Sequence, residues 1–256
     1  MQEQFVRFLI EGEVHMPFHE REDKILHILL QQENISVNEL SDKLFISKPT
    51  LRRDLIKLEK KGIIVRTHGG ASLVKNPKDT KIPFVMREHE QNSAKSTIAQ
   101  KAISFIHDGD TIMLDGSTSA YYIVPYLSEF KNLIIITSSA KSSLILGQMG
   151  IDNICTGGRM ITKSFSYVGA EAINTIRHYN ADVLFFSCRG LSLAGQLSDN
   201  SIEENLIRKE MMDRAAKKIF LCDSSKIGKI CLHNLCHISD LDEVICETAL
   251  PTEIRN

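Results

Sequence analysis

The segment from Ser47 to Ala71 reads SKPTLRRDLIKLEKKGIIVRTHGGA. Thr50, Arg53, Lys57 and Lys60 fall on one side of a 3.6-residue helix, with Arg52 on the flank, while Leu51, Leu55 and Leu58 fall on the other. That arrangement offers polyanion contact: the major groove of DNA admits a helix, and an arginine fork pairs with a guanine edge there. An ordinary solvated helix carries the same charge pattern, so charge alone leaves both readings open. A second set of residues lies in the C-terminal half, in the stretches Asp115-Gly116-Ser117-Thr118-Ser119, Thr137-Ser138-Ser139, Gly157-Gly158-Arg159 and Asp223-Ser224-Ser225-Lys226-Ile227-Gly228. Glycine and hydroxyl residues at a helix start leave N–H groups that, with the helix dipole, attract an anion such as phosphate. Ser and Thr at such positions also serve simply as N-caps.

The elements that must position the first set are helical. Ser47 is a suitable N-cap, Pro49 sits in the first turn where a missing N–H costs nothing, and Gly62 ends the helix. Ile63 to Arg66 has strand character, and Gly69-Gly70 turns it back. Upstream, Arg21 to Gln32 is a helix with one apolar side, and Ser36-Val37-Asn38-Glu39 is a capping box opening a second. Three helices with a short gap between the second and third form a helix-turn-helix, to which the strand and Gly-Gly turn add a wing. Between Glu20 and Lys75 there are 11 Lys/Arg against 8 Asp/Glu, a local excess suited to phosphate contacts in a chain of net charge −1. Asp54 has two readings: it orients a neighbouring arginine, or it pairs within the helix with Lys57 or Lys61.

At 256 residues, 43% hydrophobic and 25% charged, the chain has room for a second unit with its own core. No run of about 18 apolar residues suggests a membrane helix. MQEQFVRFLIEGEVH lacks the pattern of a secretory signal. It is either an upstream extension before a start at Met16 or a short extra helix, which the mass of the native product decides. The six cysteines, at 155, 188, 222, 231, 236 and 246, are expected as reduced thiols, and their spacing with His233 and His237 lacks a zinc pattern. Neither a metal nor a cofactor is expected.

Residues 75–84, polar and with two prolines, read as a linker. The expected domains are therefore a leader over 1–19, a DNA-binding unit over 20–74, that linker, and an α/β unit over 85–256. After a long helix over 85–106, apolar runs at 111–114, 133–137, 153–155, 182–187, 218–222 and 243–246 alternate with helical stretches at 121–130, 142–149, 168–179 and 203–216. Short, near-continuous apolar strands between helices imply a parallel sheet covered on both faces. Ligands of such sheets bind beyond the carboxyl ends of the strands, where the four stretches of the second set all fall. Together they suggest a pocket for a small, polar, phosphorylated ligand.

The sequence Ser47-Lys48-Pro49-Thr50-Leu51-Arg52-Arg53-Asp54-Leu55, the His68-Gly69-Gly70-Ala71 wing and the capped ELSDKL helix resemble the DeoR family of bacterial transcriptional regulators. The resemblance continues to the end of the chain, over about 235 residues. Asp108-Gly109-Asp110 with Asp115-Gly116-Ser117-Thr118 resembles the family's DGD and D-x-G-T-T stretch with shifted spacing, and Thr137-Ser138-Ser139 resembles T-N-S with Ser for Asn. Gly157-Gly158 matches its G-G. Glu204, Arg208-Lys209 and Met211 resemble E-x-x-x-K-R-x-M with the basic pair reversed, and Asp223-x-Ser225-Lys226-Ile227-Gly228 resembles D-x-S-K-F-G with Ile for Phe. The resemblance implies a winged helix-turn-helix followed by an α/β sensor similar in fold to sugar-phosphate isomerases. It implies DNA contacts by Ser47, Thr50, Arg52 and Arg53, to which Lys48, Lys57, Arg66, His68 and Gly69 are added here. It also implies a phosphorylated sugar held by Asp115, Gly116, Ser117, Thr118, Thr137, Ser138, Ser139, Gly158, Glu204, Arg208 and Lys226.

The expected function is a cytoplasmic, non-enzymatic regulator, a repressor of a sugar-metabolism operon, acting as a homodimer or homotetramer on double-stranded operator DNA. The alternative is a sugar-phosphate isomerase carrying a DNA-binding module, with Asp115, Glu203 or Glu204 as the base.

Overall fold

The structure, a computed structural model, describes residues 18–32, 34–60, 63–67, 69–73 and 84–254. Residues 1–17, Lys61-Gly62, His68 and the linker stretch 74–83 lie outside the described residues, and with them the readings of the leader, of Gly62 as helix terminator and of the hinge. The chain divides into two compact units, one ending at Glu90 and the other running from Gln91 to Asn256.

The first unit contains α1 (Phe18–Gln31), β1 (Asn34–Ser36), α2 (Val37–Leu44), α3 (Lys48–Lys60), β2 (Ile64–Thr67), β3 (Gly70–Leu73) and α4 (Phe84–His89). Leu51, Leu55 and Leu58 of α3 are essentially fully buried and meet Ile25, Leu26, Leu29 and Leu40 in one core. Each such leucine contributes about 1.5–3 kcal/mol of transfer free energy. The capping box at the start of α2 has both arms: Glu39 N–H donates to Ser36 Oγ at 3.1 Å, and Ser36 N–H donates to a Glu39 carboxylate oxygen at 2.9 Å. The wing is a β2–β3 hairpin whose closing pair is Thr67 and Gly70. Gly69, in the turn, has φ +90°, and a Cβ on Gly70 would stand 2.4 Å from the Ile35 carbonyl oxygen. The second glycine is thus needed for β3 to pair with β1, an antiparallel partner that sequence reading missed.

The long helix expected over 85–106 is two helices. Gln91, at φ 55°, breaks it, and α5 (Asn92–Ala102) begins the second unit. The helix before the break packs on α1, burying Phe84 and placing Met86 in the first unit's core. Contacts therefore divide the chain at Glu90–Gln91, six residues beyond the expected 84/85 boundary.

The second unit continues with β4 (Thr111–Leu114), α6 (Thr118–Tyr121), β5 (Ile134–Thr137), α7 (Ala140–Gln148), β6 (Asn153–Cys155), β7 (Arg159–Ile161), β8 (Ser166–Val168), α8 (Ala170–Arg177) and β9 (Ala181–Phe186). It ends with β10 (Gly190–Leu191), β11 (Gln196–Asp199), α9 (Ile202–Arg214), β12 (Ala215–Cys222), β13 (His233–His237) and β14 (Glu243–Cys246). Six strands form one sheet in the order β14-β12-β9-β4-β5-β6, with every pairing parallel. Alternate residues face opposite sides: Met113, Ile136, Leu184, Phe186 and Phe220 one core, and Ile112, Leu114, Ile135, Phe185 and Leu221 the other. This is the expected doubly covered α/β sheet. The helix expected over 121–130 is instead the single turn of α6 followed by a 3-10 run at Val124–Glu129 with Pro125 in its first turn. Two antiparallel sheets not expected from the sequence are added, β7–β8 and β10-β11-β13.

Candidate functional site

On the first unit, α3 presents Arg52, Arg53 and Lys57 to solvent, and Ser47 and Lys48 are exposed at its start. Ser47 Oγ lies 2.9 Å from Thr50 Oγ1, so two hydroxyls sit together at the first turn. Gly69 and Arg66 are exposed on the wing, and Arg66 Nε donates to Glu59 at 2.8 Å. His68 is outside the described residues. Phe45, at φ 54° and 90% exposed, occupies the turn between α2 and α3 in the left-handed region.

Asp54 pairs with Arg21, a partner that neither of its two expected readings named. Its carboxylate is 1% exposed and accepts from Arg21 Nε at 2.6 Å and from Arg21 Nη2 at 3.0 Å. This bidentate pair ties α3 to α1 and leaves the outward cations of α3 to other partners. Arg21 is correspondingly held above its ordinary pKa by the Asp54 hydrogen bond, against the opposing effect of burial.

In the second unit the chain runs outward from β4 through β5 to β6, then returns and runs through β9, β12 and β14 on the other side of β4. The strand order therefore reverses between β4 and β9, and a crevice opens there at the carboxyl ends. Asp115, the residue after β4, is fully buried in that crevice. One carboxylate oxygen accepts from Ser117 N–H at 3.1 Å; the other accepts from Arg208 Nε at 2.8 Å and from Ser187 N–H at 3.4 Å. Arg208, 4% exposed on α9, also donates through Nη1 to Asp199 at 3.0 Å and to the Asn205 side-chain oxygen at 3.0 Å. Burial alone would push the guanidinium pKa down, but Asp199, Asp115 and Glu204 hold it above its ordinary value.

A small cleft beside this network is lined by Asp115, Gly116, Ser138, Ser166, Tyr167, Glu204, Ile207 and Arg208. It brings together five of the eleven expected ligand residues. The other six lie at the same sheet edge with different partners. Ser117 Oγ caps α6 by accepting from Ala120 N–H, and Ser139 Oγ caps α7 by accepting from Ser142 N–H, each at 3.1 Å. Thr137 Oγ1 donates to the Leu114 carbonyl at 2.9 Å and accepts from Ser139 N–H at 3.0 Å. Thr118 is buried in the first turn of α6. Gly158, at φ +95°, lies where a Cβ would stand 2.8 Å from the Val168 carbonyl oxygen. Lys226 is paired with Asp223. Thus the capping reading of the hydroxyls holds for Ser117 and Ser139.

Sequence reading missed Asp199, Asn205, Ser166 and Tyr167. Asn205 precedes Arg208 by three residues, so helical spacing could have placed it on the same face. Asp199 and the β8 residues come from antiparallel segments without an apolar run, and nothing local in the sequence marks them. Glu204 lines the cleft, whereas Glu203 points to the surface, where it pairs with Arg159. Among the described residues no group of three or more His, Cys, Asp or Glu could hold a metal ion. No helix among them is long and apolar enough to cross a membrane.

Comparisons with known proteins agree with this architecture. A DeoR-like helix-turn-helix domain matches residues 21–76, and a DeoR C terminal sensor domain matches residues 90–248. The chain is 34% identical over 238 residues to an uncharacterized HTH-type transcriptional regulator of Bacillus subtilis, YulB, covering 92% of each chain. It is 29% identical over 235 residues to an L-fucose operon activator of Haemophilus influenzae, covering 92% of this chain and 94% of that one. Among solved structures it is similar to a ribose 5-phosphate isomerase from Plasmodium falciparum, at 18% identity and a TM-score of 0.41, over 54% of this chain and 53% of that one. With a DeoR-like helix-turn-helix followed by a DeoR sensor domain over most of its length, the chain belongs to the DeoR family of transcriptional regulators.

Proposed function

We propose that this protein is a repressor of a sugar-metabolism operon, binding double-stranded operator DNA through α3 and the wing and binding a phosphorylated sugar at the β4/β9 crevice. The observation that carries the reading is the set of groups that converge at the carboxyl end of β4. There a buried carboxylate, a half-buried one, a buried guanidinium and hydroxyls come together, the donors and acceptors that a sugar phosphate requires. Asp115 and Glu204 face the sugar hydroxyls, and Gly116 and Ser138 lie beside the starts of α6 and α7, where N–H groups favour phosphate. Ser117, Thr118, Thr137, Ser139 and Gly158 shape that rim, and Lys226 adds charge at its edge. Ser47, Lys48, Thr50, Arg52, Arg53, Lys57, Arg66, His68 and Gly69 are the proposed DNA contacts. The protein works in the cytoplasm as a homodimer or homotetramer, since repeated half-sites match a symmetric assembly.

Catalysis is not part of this reading. Both Asp115 oxygens already accept hydrogen bonds, from Ser117 on one side and from Arg208 and Ser187 on the other, which suits a fixed acceptor better than a base collecting a proton. The test is fluorescence anisotropy on DNA from upstream of the protein's own operon, at fixed salt, with a panel of pentose and hexose phosphates. Specific binding relieved by one sugar phosphate, together with repression in transcription assays in vitro, is the expected result. Specific binding that no sugar phosphate alters would reject the effector class. Isomerisation of a sugar phosphate that is lost in Asp115→Asn would reject the non-enzymatic reading.

A further inference from the structure

Three thiols end neighbouring strands on one side of the parallel sheet: Cys188 two residues beyond β9, Cys222 at the end of β12 and Cys246 at the end of β14. Cys222 and Cys246 are direct partners in the parallel register. Partners in register point to the same face, and paired strands run about 4.8 Å apart, inside the Cα separation of about 4.4–6.8 Å that a disulfide spans. Cys222 Sγ donates to the Asp223 carbonyl at 3.6 Å, and Cys246 Sγ donates to a Glu247 carboxylate oxygen at 3.3 Å. Cys222 is fully buried, whereas Cys246, 6% exposed, lines an open cleft of about 350 Å³ with Val244, Thr248 and Leu250. Cys246 thus borders the cleft, and Cys222 lies beside it on the neighbouring strand.

We propose that Cys246 and Cys222 form a peroxide-reactive dithiol that closes to an intramolecular disulfide and thereby resets the Asp223–Lys226 turn. The neighbouring Cys222 thiol, with hydrogen bonds from Thr248, holds the Cys246 thiol down at about 7 against burial and against the Glu247 carboxylate beside it. Cys222 is held well above the ordinary thiol value by the neighbouring Cys246 thiol and by burial, and burial pushes Cys188 up to about 12. Cys246 is therefore the nucleophile and Cys222 the resolving thiol. The Cys246 thiolate attacks one peroxide oxygen; the O–O bond breaks, giving a sulfenic acid and hydroxide, which takes up a proton to become water. The Cys222 sulfur then attacks the sulfenic sulfur. The S–O bond breaks, the S–S bond forms, and the Cys222 proton leaves with the hydroxyl as a second water. Two thiols are oxidised by two electrons and one peroxide is reduced.

The consequence passes through Glu247. Cys246 Sγ donates to a Glu247 carboxylate oxygen at 3.3 Å, and that carboxylate accepts from Ser224 N–H at 3.0 and 3.2 Å. Ser224 opens the turn that carries Lys226 and follows Asp223. Closing the disulfide removes the thiol donor to Glu247, so the hold of Glu247 on the turn changes. The effect on ligand response rests on the function proposed above; formation of the disulfide does not.

The test treats the reduced full-length protein with hydrogen peroxide, blocks the remaining thiols and maps linked peptides by mass spectrometry without reduction. The expected product links Cys222 to Cys246 and is reversed by dithiothreitol. In Cys222→Ser a dione probe should trap a sulfenic acid at Cys246, and Cys246→Ser should lose most of the peroxide consumption at pH 7. A disulfide between any other pair, or oxidation elsewhere that leaves Cys222 and Cys246 reduced, overturns the proposal, and this readout needs no variant to fold. In the DNA assay, the oxidised protein should need a different sugar-phosphate concentration for half release, and oxidised Cys222→Ser should not. A mapped disulfide with an unchanged response would overturn the coupling alone. Failure of every sugar phosphate on the reduced protein would instead count against the proposed effector.

Discussion

Arg208 Nε donates to Asp115 Oδ2 at 2.8 Å, joining residues 93 apart in sequence across the reversal point of the sheet. Asp199 accepts from the same guanidinium at 3.0 Å, so one buried cation serves two buried carboxylates. Replacing it with an apolar side chain would leave Asp115 inside without its counter-charge and Asp199 with only the longer 3.9 Å pairing to Arg189. Arg208→Met is expected to cost about 3–5 kcal/mol, the usual penalty for breaking a buried pair from one side. The double variant with Asp115→Asn should recover part of that loss, because the two sites share one network. Thermal melts of the single and double variants check this; a single-variant loss below about 1 kcal/mol would show that the network is not a principal stabiliser.

The Arg21–Asp54 pair separates two kinds of arginine in the first unit. Arg21→Ala leaves Asp54 buried without its partner and should destabilise that unit by about 3 kcal/mol. Arg53→Ala, at an exposed position, should alter stability by no more than about 0.5 kcal/mol. On operator DNA, Arg53→Ala should weaken binding by about 1–3 kcal/mol if the side chain reads a base. An equal loss on random DNA would assign it to phosphate instead. Melting curves and anisotropy on the same preparations distinguish the two effects.

Most of the parallel sheet was legible because each strand is a short apolar run bounded by Gly, Asp or Ser, and the helix-turn-helix because its apolar spacing and capping box are local signals. What escaped depends on distant partners. Ile35, the apolar centre of β1, pairs with Ala71, and its strand is only three residues long, with its last residue also capping α2. The β10-β11-β13 sheet draws on polar segments whose strand character comes from pairing rather than composition. Asp54 could be seen beside Arg52 and Arg53, but its partner lies 33 residues earlier. The cleft was half legible for the same reason: Asp115, Gly116 and Ser138 follow apolar strands, whereas Asp199 is positioned by an antiparallel strand with no signature.

The wing glycines invite a steric test. Gly69 has open space around its Cβ position and requires only a positive φ, whereas a Cβ on Gly70 meets the Ile35 carbonyl oxygen at 2.4 Å. Gly70→Ala should therefore disrupt the β1–β3 pairing and lower stability by more than about 1 kcal/mol. Gly69→Asn, which tolerates the left-handed region, should cost less. Hydrogen exchange at the Ile35 and Ala71 amides reports the pairing directly. Equal stability and equal protection in the two variants would contradict the proposed packing.

Lys226 and Asp223 predict a pH dependence whose sign follows from their environment. Burial tends to raise the Asp223 pKa, but the Lys226 cation, its hydrogen bond and the Ser225 hydroxyl outweigh it and hold the carboxyl below its ordinary value. A carboxyl lowered on folding stabilises above its unfolded pKa, near 4, and that contribution fades as pH falls through the folded value. Lys226→Met removes the cation and leaves burial dominant. The variant should be less stable than the natural protein at pH 7, and the difference should narrow as the pH falls toward and then below about 4, as Asp223 becomes neutral first in the variant and then in the natural protein. Urea unfolding at pH 7 and at a series of acidic values measures the gap. A gap that stays constant or widens on acidification would mean that Lys226 acts through packing, not through the charge of Asp223.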